Sequence, residues 1–456
     1  MKRSARKEIF YMNQKIISLL SQFISIQSVS TDNKRKGELL RAADFLTEYL
    51  TSLGFQIHRY KKDQSPPLVV ASYTCNDPRA KTIGIYGHYD VQPEDPIGEW
   101  ESPPFVLTKK NGKMYGRGVA DNKGHIIQNV VSISQLIDTK KLRNNIIFIF
   151  EGEEERGSSS FEKCIQEAIE ILSAVDVFYI TDVGMYDKNV PQILYGLRGI
   201  VYFELILETG KLDLHSGVWG NRVINPVQVA VDLFSKIKNL DTGKIMIPGF
   251  YEDVKSFSKT ERKLLTHVSR SDNDQKEEAA TYMLMSLDKN QPYLSAKIYP
   301  SLDINGIISG YTGEGSKTVI PRKILVKFST RLVEYQKPEK IIGAVSKFVK
   351  KELPESIKYQ LHVLDSAKPF YTDFKNPFIT KTAKILEDVF GNKTRYNRSG
   401  GSIPAAEILE RLLGKPIVLT GFTLPDDRIH APQENFDEEM FFKGIDAFQK
   451  IYSARF

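Results

Sequence analysis

Gly87-His88-Tyr89-Asp90-Val91-Gln92-Pro93 decides how the rest of the chain is read. It follows Thr82-Ile83-Gly84-Ile85-Tyr86, a short apolar run bounded by charge and glycine, which reads as a buried strand. A histidine just past the end of such a strand faces the crevice where open α/β sheets place their ligands. Asp90, two residues on, can accept a hydrogen bond from one ring nitrogen and so fix the tautomer that leaves the other free for a metal. Taken alone, His-x-Asp is as readily a plain loop pair. Its weight comes from acidic residues delivered to the same kind of place elsewhere.

Working outward, Asn144-Asn145-Ile146-Ile147-Phe148-Ile149-Phe150 is a near-continuous apolar run, as expected of a central parallel strand, and it leads straight into Glu151-Gly152-Glu153-Glu154-Glu155-Arg156-Gly157-Ser158. A second buried run over residues 175–180 ends in Thr181-Asp182. Between the His88 strand and these runs, a glycine-rich approach (113–118) precedes Asp121-Asn122-Lys123-Gly124, which opens a helix through Ile126, Ile127, Val130 and Ile133. Upstream, helices are expected over about 9–23 and 37–53, with Gly54 as a C-cap, and a strand over 68–73 after Pro66-Pro67. Strand alternating with helix predicts an α/β fold with a mostly parallel, doubly wound sheet.

Near Tyr195-Gly196-Leu197-Arg198-Gly199 the character changes to strict alternation over 201–207, suiting a sheet with one solvated face. A helix near 226–237, a polar helical stretch over about 251–285, strands over about 293–304 and 321–333, a helix after Lys337-Pro338 and a strand near 358–364 follow. This βαββαβ order predicts an inserted lid or dimerisation domain over 198–372, dividing a catalytic domain into 1–197 and 373–456. The doubly wound pattern resumes with a helix to Phe390, the loop Ser399-Gly400-Gly401-Ser402, a strand near 416–420 and the loop Asp426-Asp427-Arg428-Ile429-His430 before a C-terminal helix.

Composition narrows the function classes. The 456 residues exceed one compact core, and 41% hydrophobic with 26% charged residues is ordinary for a globular protein. The net charge of +7 is spread among alternating signs, so no nucleic-acid partner is expected. No run approaches the roughly 18 apolar residues of a membrane span. The basic N-terminus lacks the apolar core of a signal peptide, and two cysteines, Cys75 and Cys164, suit a reducing compartment, so the cytoplasm is expected. His58, His267 and His362 have no partners at useful spacing, and neither cysteine has a base at hand.

His88, the Glu154-Glu155 pair and Asp182 each follow a buried strand, and Asp121 opens a helix; a parallel sheet would gather them at one edge. Carboxylates crowded in an apolar crevice cannot all stay ionised without a cation, so they take up protons or metal. A histidine among them favours zinc or manganese over calcium. Two such ions about 3.5–4 Å apart, bridged by a carboxylate, would polarise a carbonyl and lower the pKa of a shared water towards about 7. Adjacent glutamates can divide the remaining work, one ligating and the other accepting the water's proton.

These motifs resemble the dinuclear-metal amidohydrolases that include cytosolic non-specific dipeptidase, carnosinase, carboxypeptidase G, acetylornithine deacetylase and succinyl-diaminopimelate desuccinylase. Tyr115-Gly116-Arg117-Gly118-Val119-Ala120-Asp121-Asn122-Lys123-Gly124, Glu154-Glu155-Arg156-Gly157-Ser158, Asp182 and Asp427-Arg428-Ile429-His430 join the opening motif in carrying the likeness nearly end to end. Tyr195-Gly196-Leu197-Arg198-Gly199, Asp213-Leu214-His215-Ser216-Gly217-Val218, Lys317-Thr318-Val319-Ile320-Pro321-Arg322 and Gly400-Gly401-Ser402-Ile403-Pro404 point to the dipeptidase branch.

The resemblance implies two divalent ions, zinc first and manganese or cobalt as alternatives. Asp121 would bridge both ions, His88 and Asp182 completing one and Glu155 and His430 the other. Glu154 would be the general base, Asp90 the partner of His88, and the Asp121–Asn122 peptide cis. His215 would stabilise the oxyanion across a homodimer interface formed by the lid. Arg331 would clamp a small peptide substrate's carboxylate, with Ser402 and Gly401 lining the pocket. Asn122 stands where the family more often has a second acid, and Ser399 where dipeptidases often carry a glutamate; the latter bears on which substrate is taken. His125 receives no role. The expected activity is hydrolysis of dipeptides or short peptides. An N-acyl amino acid deacylase on the same scaffold, or a silent peptide-binding protein, are the alternatives.

Overall fold

The computed structural model describes residues 2–289 and 291–456, residues 2–10 by their backbone. Helices α1 (Lys2–Ile24) and α2 (Lys36–Ser52) precede strands β1 (Gln56–Tyr60), β2 (Leu68–Tyr73) and β3 (Thr82–His88). Helix α3 (Lys123–Asp138) leads to β4 (Asn145–Glu151), β5 (Val177–Ile180) and β6 (Gln192–Leu197). The chain continues through β7 (Gly199–Glu208), α4 (Pro226–Ile237), β8 (Ser301–Ile308), β9 (Lys323–Leu332), α5 (Pro338–Glu352) and β10 (Lys358–Ala367). Helix α6 (Pro377–Phe390), β11 (Ile417–Leu419) and α7 (Glu438–Ser453) complete it. Two compact units result. The first takes the chain up to Tyr195, Thr372–Asn397 and Pro404–Phe456; the second takes Gly196–Tyr371 and Arg398–Ile403.

In the first unit the strands lie in the order β1-β2-β4-β3-β5-β11-β6. The central strands β4, β3, β5 and β11 are parallel, as the doubly wound reading expects, and the flanking pairs are antiparallel. After its first residue, every position of β3 and of β4 is buried, which is why these runs carry no alternation. Phe148 and Phe150 stack with centroids 5.1 Å apart and join Ile126, Val130, Leu386 and Phe448 in one core. Truncating Phe148 to alanine there would cost about 3–5 kcal/mol. Gly87 is small for a reason tied to the site: a Cβ would stand 2.8 Å from Ile126 Cγ1 of α3. Helix α6 starts where Asn376 Oδ1 accepts from the Phe378 amide at 2.9 Å with Pro377 beside it, and stops at Gly391, φ 77°.

The second unit is an antiparallel sheet in the order β8-β9-β7-β10, built as βαββαβ with α4 and α5. Inward residues Val201, Phe203, Leu205 and Leu207 of β7 pack with Leu233 and Ile237 of α4 and Ile341 and Val345 of α5. Two local expectations fail. The stretch 251–285 is no single helix but contains short helices Lys259–Thr266 and Asp272–Glu278, punctuated by the N-caps Ser258 and Ser271. The strand expected from 293 starts only at Ser301, because Pro292 opens a helical turn that runs through Ile298. Among the described residues no helix is long and apolar enough to cross a membrane.

Candidate metal centre

The first unit brings together seven residues that the sequence nominates. His88 ends β3 and is fully buried. Its Nε2 lies 2.9 Å from Asp121 Oδ1 and 3.5 Å from Asp182 Oδ1. The other oxygen of Asp121 lies 2.9 Å from His430 Nε2, and that nitrogen is 3.2 Å from Glu155 Oε2. Two groups of ligand atoms therefore form, His88–Asp121–Asp182 and Asp121–Glu155–His430, each within 4.8 Å and sharing Asp121. The Asp121–Asn122 peptide is cis.

Asp90 does more than orient an imidazole. His88 Nδ1 is nearer the Asp90 carbonyl (3.1 Å) than its carboxylate (3.4 Å). The carboxylate accepts the backbone amides of Glu154 at 3.2 Å and Glu155 at 3.1 Å, so it anchors the acidic turn directly. Gln92 donates to Glu155 Oε2 at 2.7 Å. The Glu154 side chain has no hydrogen-bond or ion-pair partner among the described residues.

Charge is crowded here. Burial raises the proton affinity of Glu154 well above the ordinary carboxylate range, and Asp182, Asp121 and Glu155 add to it against His88. Burial likewise raises Asp182 and Glu155. For His88, burial alone would favour the neutral ring, but Asp182, Asp121 and Asp90 override it and hold the proton well above the usual range. Hydrogen bonds to Asp121 and Glu155 push His430 up to about 10. Imidazolium protons thus stand where cations would. The residues fit such ions: Glu155 Oε1 is buried with no hydrogen-bond partner, a cost of about 1–3 kcal/mol that a cation would relieve. Two imidazoles with three carboxylates form a borderline donor set.

Some partners were not foreseen. Glu434, buried, accepts the Ala120 and Asp121 amides through Oε1 (2.9 and 3.1 Å) and the Gly118 amide and Arg117 Nη1 through Oε2 (3.0 and 2.6 Å). It thereby shapes the turn that presents Asp121. Asn122 donates to Asp182 Oδ1 at 3.0 Å and to the Thr181 carbonyl at 2.9 Å. His125, given no role above, accepts the Phe422 amide on Nε2 at 2.9 Å and so ties α3 to the chain after β11.

His215, Arg331, Gly401 and Ser402 belong to the second unit. His215 is exposed, and its Nδ1 accepts the Gly217 amide at 3.0 Å. Gly401 N–H donates to Ser399 Oγ at 3.1 Å.

A two-unit α/β fold with a histidine-carboxylate cluster past the strand ends defines a metal-dependent hydrolase. A model of Peptidase family M20/M25/M40 matches residues 84–454, and the chain belongs to that family. It is a metallopeptidase that binds divalent metal. It is 32% identical over 450 residues to the Cys-Gly metallodipeptidase dug1 of Schizosaccharomyces pombe, across 95% of this chain and 94% of that one. Human Beta-Ala-His dipeptidase is 28% identical over 457 residues, 96% of this chain and 89% of that protein. The solved M20 family metallo-carboxypeptidase Sso-CP2 from Sulfolobus solfataricus matches with a TM-score of 0.86 at 29% identity, covering 96% of this chain and 98% of that one. The resemblance drawn from the motifs, including its dipeptidase branch, is borne out.

Proposed function

We propose that the protein hydrolyses dipeptides at the cluster in its first unit, with a pair of divalent ions, zinc first and manganese or cobalt as alternatives. The observation that carries this reading is the sharing of Asp121 by two ligand groups, with the partnerless carboxylate of Glu154 in electrostatic range. His88 and Asp182 would complete one ion's ligands, Glu155 and His430 the other's. When bound, the ions would polarise the peptide carbonyl and lower the pKa of a water.

The chain's own groups supply the proton traffic. Glu154 accepts the water's proton and returns it to the leaving amine, a role open to a carboxylate with no other partner among the described residues. Asp90 fixes where Glu154 starts by holding its amide. Because His215 Nδ1 accepts a backbone N–H, its neutral ring carries the proton on Nε2, a donor suited to a developing oxyanion. Arg331 would bind the substrate's terminal carboxylate, with Gly401 and Ser402 lining the same seat.

A homodimer through the second unit belongs to the proposal, with His215 reaching the partner's substrate. An apolar groove of about 580 Å³, lined by Val231, Leu240, Ile304 and Ile307, supports it, because exposed residues of this kind favour a second copy over water. A cytoplasmic location suits the two unpaired cysteines.

The test is turnover by purified protein reconstituted with zinc, manganese or cobalt, on a dipeptide panel and an N-acyl amino acid panel. Dipeptides should be cleaved. Release from the acyl set alone would overturn the reading.

A further inference from the structure

The second unit holds positive charge that the proposed reaction leaves unused. Arg198 sits in the joint between β6 and β7, beside Gly199, which pairs with Leu332; the next pair along the ladder is Ile200 with Arg331. Both arginines are half-buried. Arg198 donates through Nε to the Gly400 carbonyl at 3.2 Å, and its backbone N–H donates to the Gly401 carbonyl at 3.2 Å. Its terminal nitrogens donate to no acceptor among the described residues, although a Cβ on Gly400 would stand 2.8 Å from Nη2. Arg331 has no hydrogen bond or ion pair among the described residues.

The surroundings do not neutralise the pair. The carboxylate that attracts Arg198 is Asp303, whose ion pair is with Lys238 at 3.0 Å. Lys297 adds a half-buried positive charge nearby; it donates to the Arg398 carbonyl at 3.0 Å and opposes Arg198. Burial first, and then Arg331, pushes Arg198 down to about 10. Arg398, at the start of the same loop, shows the contrast: its Nη2 pairs with both Glu261 and Glu334. A half-buried guanidinium held against a like charge, with its fork open, is suited to an anionic ligand.

One arginine suffices for a peptide's terminal carboxylate. We propose that Arg198 forms a second carboxylate seat beside Arg331, so that the enzyme prefers dipeptides whose C-terminal residue is aspartate or glutamate. The inference rests on the dipeptidase reading. In such a residue the main-chain and side-chain carboxylates stand a few bonds apart, suited to two guanidinium groups of which one just precedes the first β7–β9 pair and the other lies in the second, near enough to repel each other.

The test compares kcat/KM for Ala-Glu and Ala-Asp with that for Ala-Gln and Ala-Asn in the metal-loaded parent, R198Q and R198K. R198Q should lose about 10- to 100-fold on the acidic pair, through KM, while the amide pair stays within about threefold. R198K, which keeps the charge but not the fork, should fall between. A parent without acidic preference, or an acid-to-amide ratio unchanged in R198Q, overturns the inference. Equal losses on both series overturn it too, since Arg198 would then only hold the Gly400 loop. Should no dipeptide be turned over, the dipeptidase reading fails separately. Equilibrium binding of L-glutamate against L-glutamine to the metal-loaded protein then still decides: a preference abolished by R198Q supports the seat, and none refutes it.

Discussion

Glu434→Gln is expected to loosen the turn that presents Asp121, although residue 434 touches no predicted ligand side chain. Both oxygens of Glu434 are used twice, on the amides of Gly118, Ala120 and Asp121 and on Arg117. Glutamine keeps one oxygen, so whichever way its amide turns, two of these donors lose their acceptor. Arg117 also keeps its charge where both side chains are 1% exposed, with the Pro93 carbonyl at 2.9 Å and the Trp100 ring as its remaining contacts. Breaking a buried pair from one side costs about 3–5 kcal/mol. At about 1–2 °C per kcal/mol for a chain of this size, the melting temperature should fall by roughly 3–10 °C. Because the Arg117 charge holds the remaining oxygen on its own side, the Ala120 and Asp121 amides lose their acceptor, and ion affinity should drop about 10- to 100-fold, the usual range for lost outer partners of a metal site. Thermal melts with chelator, and ion titration by calorimetry, measure the two effects separately. Arg117→Met with Glu434→Leu should remove the stranded charge but recover neither the full stability nor the affinity, since the three amides remain without an acceptor. A Glu434→Gln protein melting within about 2 °C of the parent, with unchanged affinity, would refute the reasoning.

Other outcomes follow from the same geometry. Glu154→Gln should retain its metal, because that side chain bonds to no other group among the described residues, yet lose about 10²–10⁴ in kcat; parent-like turnover at full metal content would show the base to be elsewhere. His215→Ala should lower kcat by about 10²–10³ with metal content unchanged, and a loss of metal measured by atomic emission would instead make it a ligand. The metal-free protein should show pH-dependent stability from His430. Its folded pKa, about 10, lies above the unfolded 6.5, so its stabilisation is complete below 6.5 and is lost as pH rises through 10. Ion binding must displace that proton, so affinity should rise about tenfold per pH unit across this window; a flat profile in chelator-buffered titrations would contradict it.

What was legible in the chain is what local pattern encodes. The runs ending at His88, Glu151 and Ile180 are buried at nearly every position, so apolar continuity followed at once by a charged residue marked both the strand and the site. Strand β7 alternates buried and half-buried residues almost to its end, and its period of two announced the second unit's half-solvated sheet. The polar stretch 251–285 misled because charge spacing alone suggests a helix, whereas Ser258 with Glu261 and Ser271 with Asp274 are start signals that divide it. Glu434 was illegible for a different reason. It sits among Gln433 and Asn435 in a segment that reads as solvated loop, and the residues it serves are more than 300 positions away in sequence. Nothing local distinguishes a carboxylate that will be buried against Arg117 from one left in water. Asp90 lies between these cases: its spacing from His88 was readable, but its stronger commitment, to the amides of Glu154 and Glu155, exists only once β3 and β4 lie side by side with His88 opposite Glu151. Three of the proposed ligands, His88, Glu155 and Asp182, are therefore written in sequence as strand ends, while the groups that aim them are set by register, which no single segment carries.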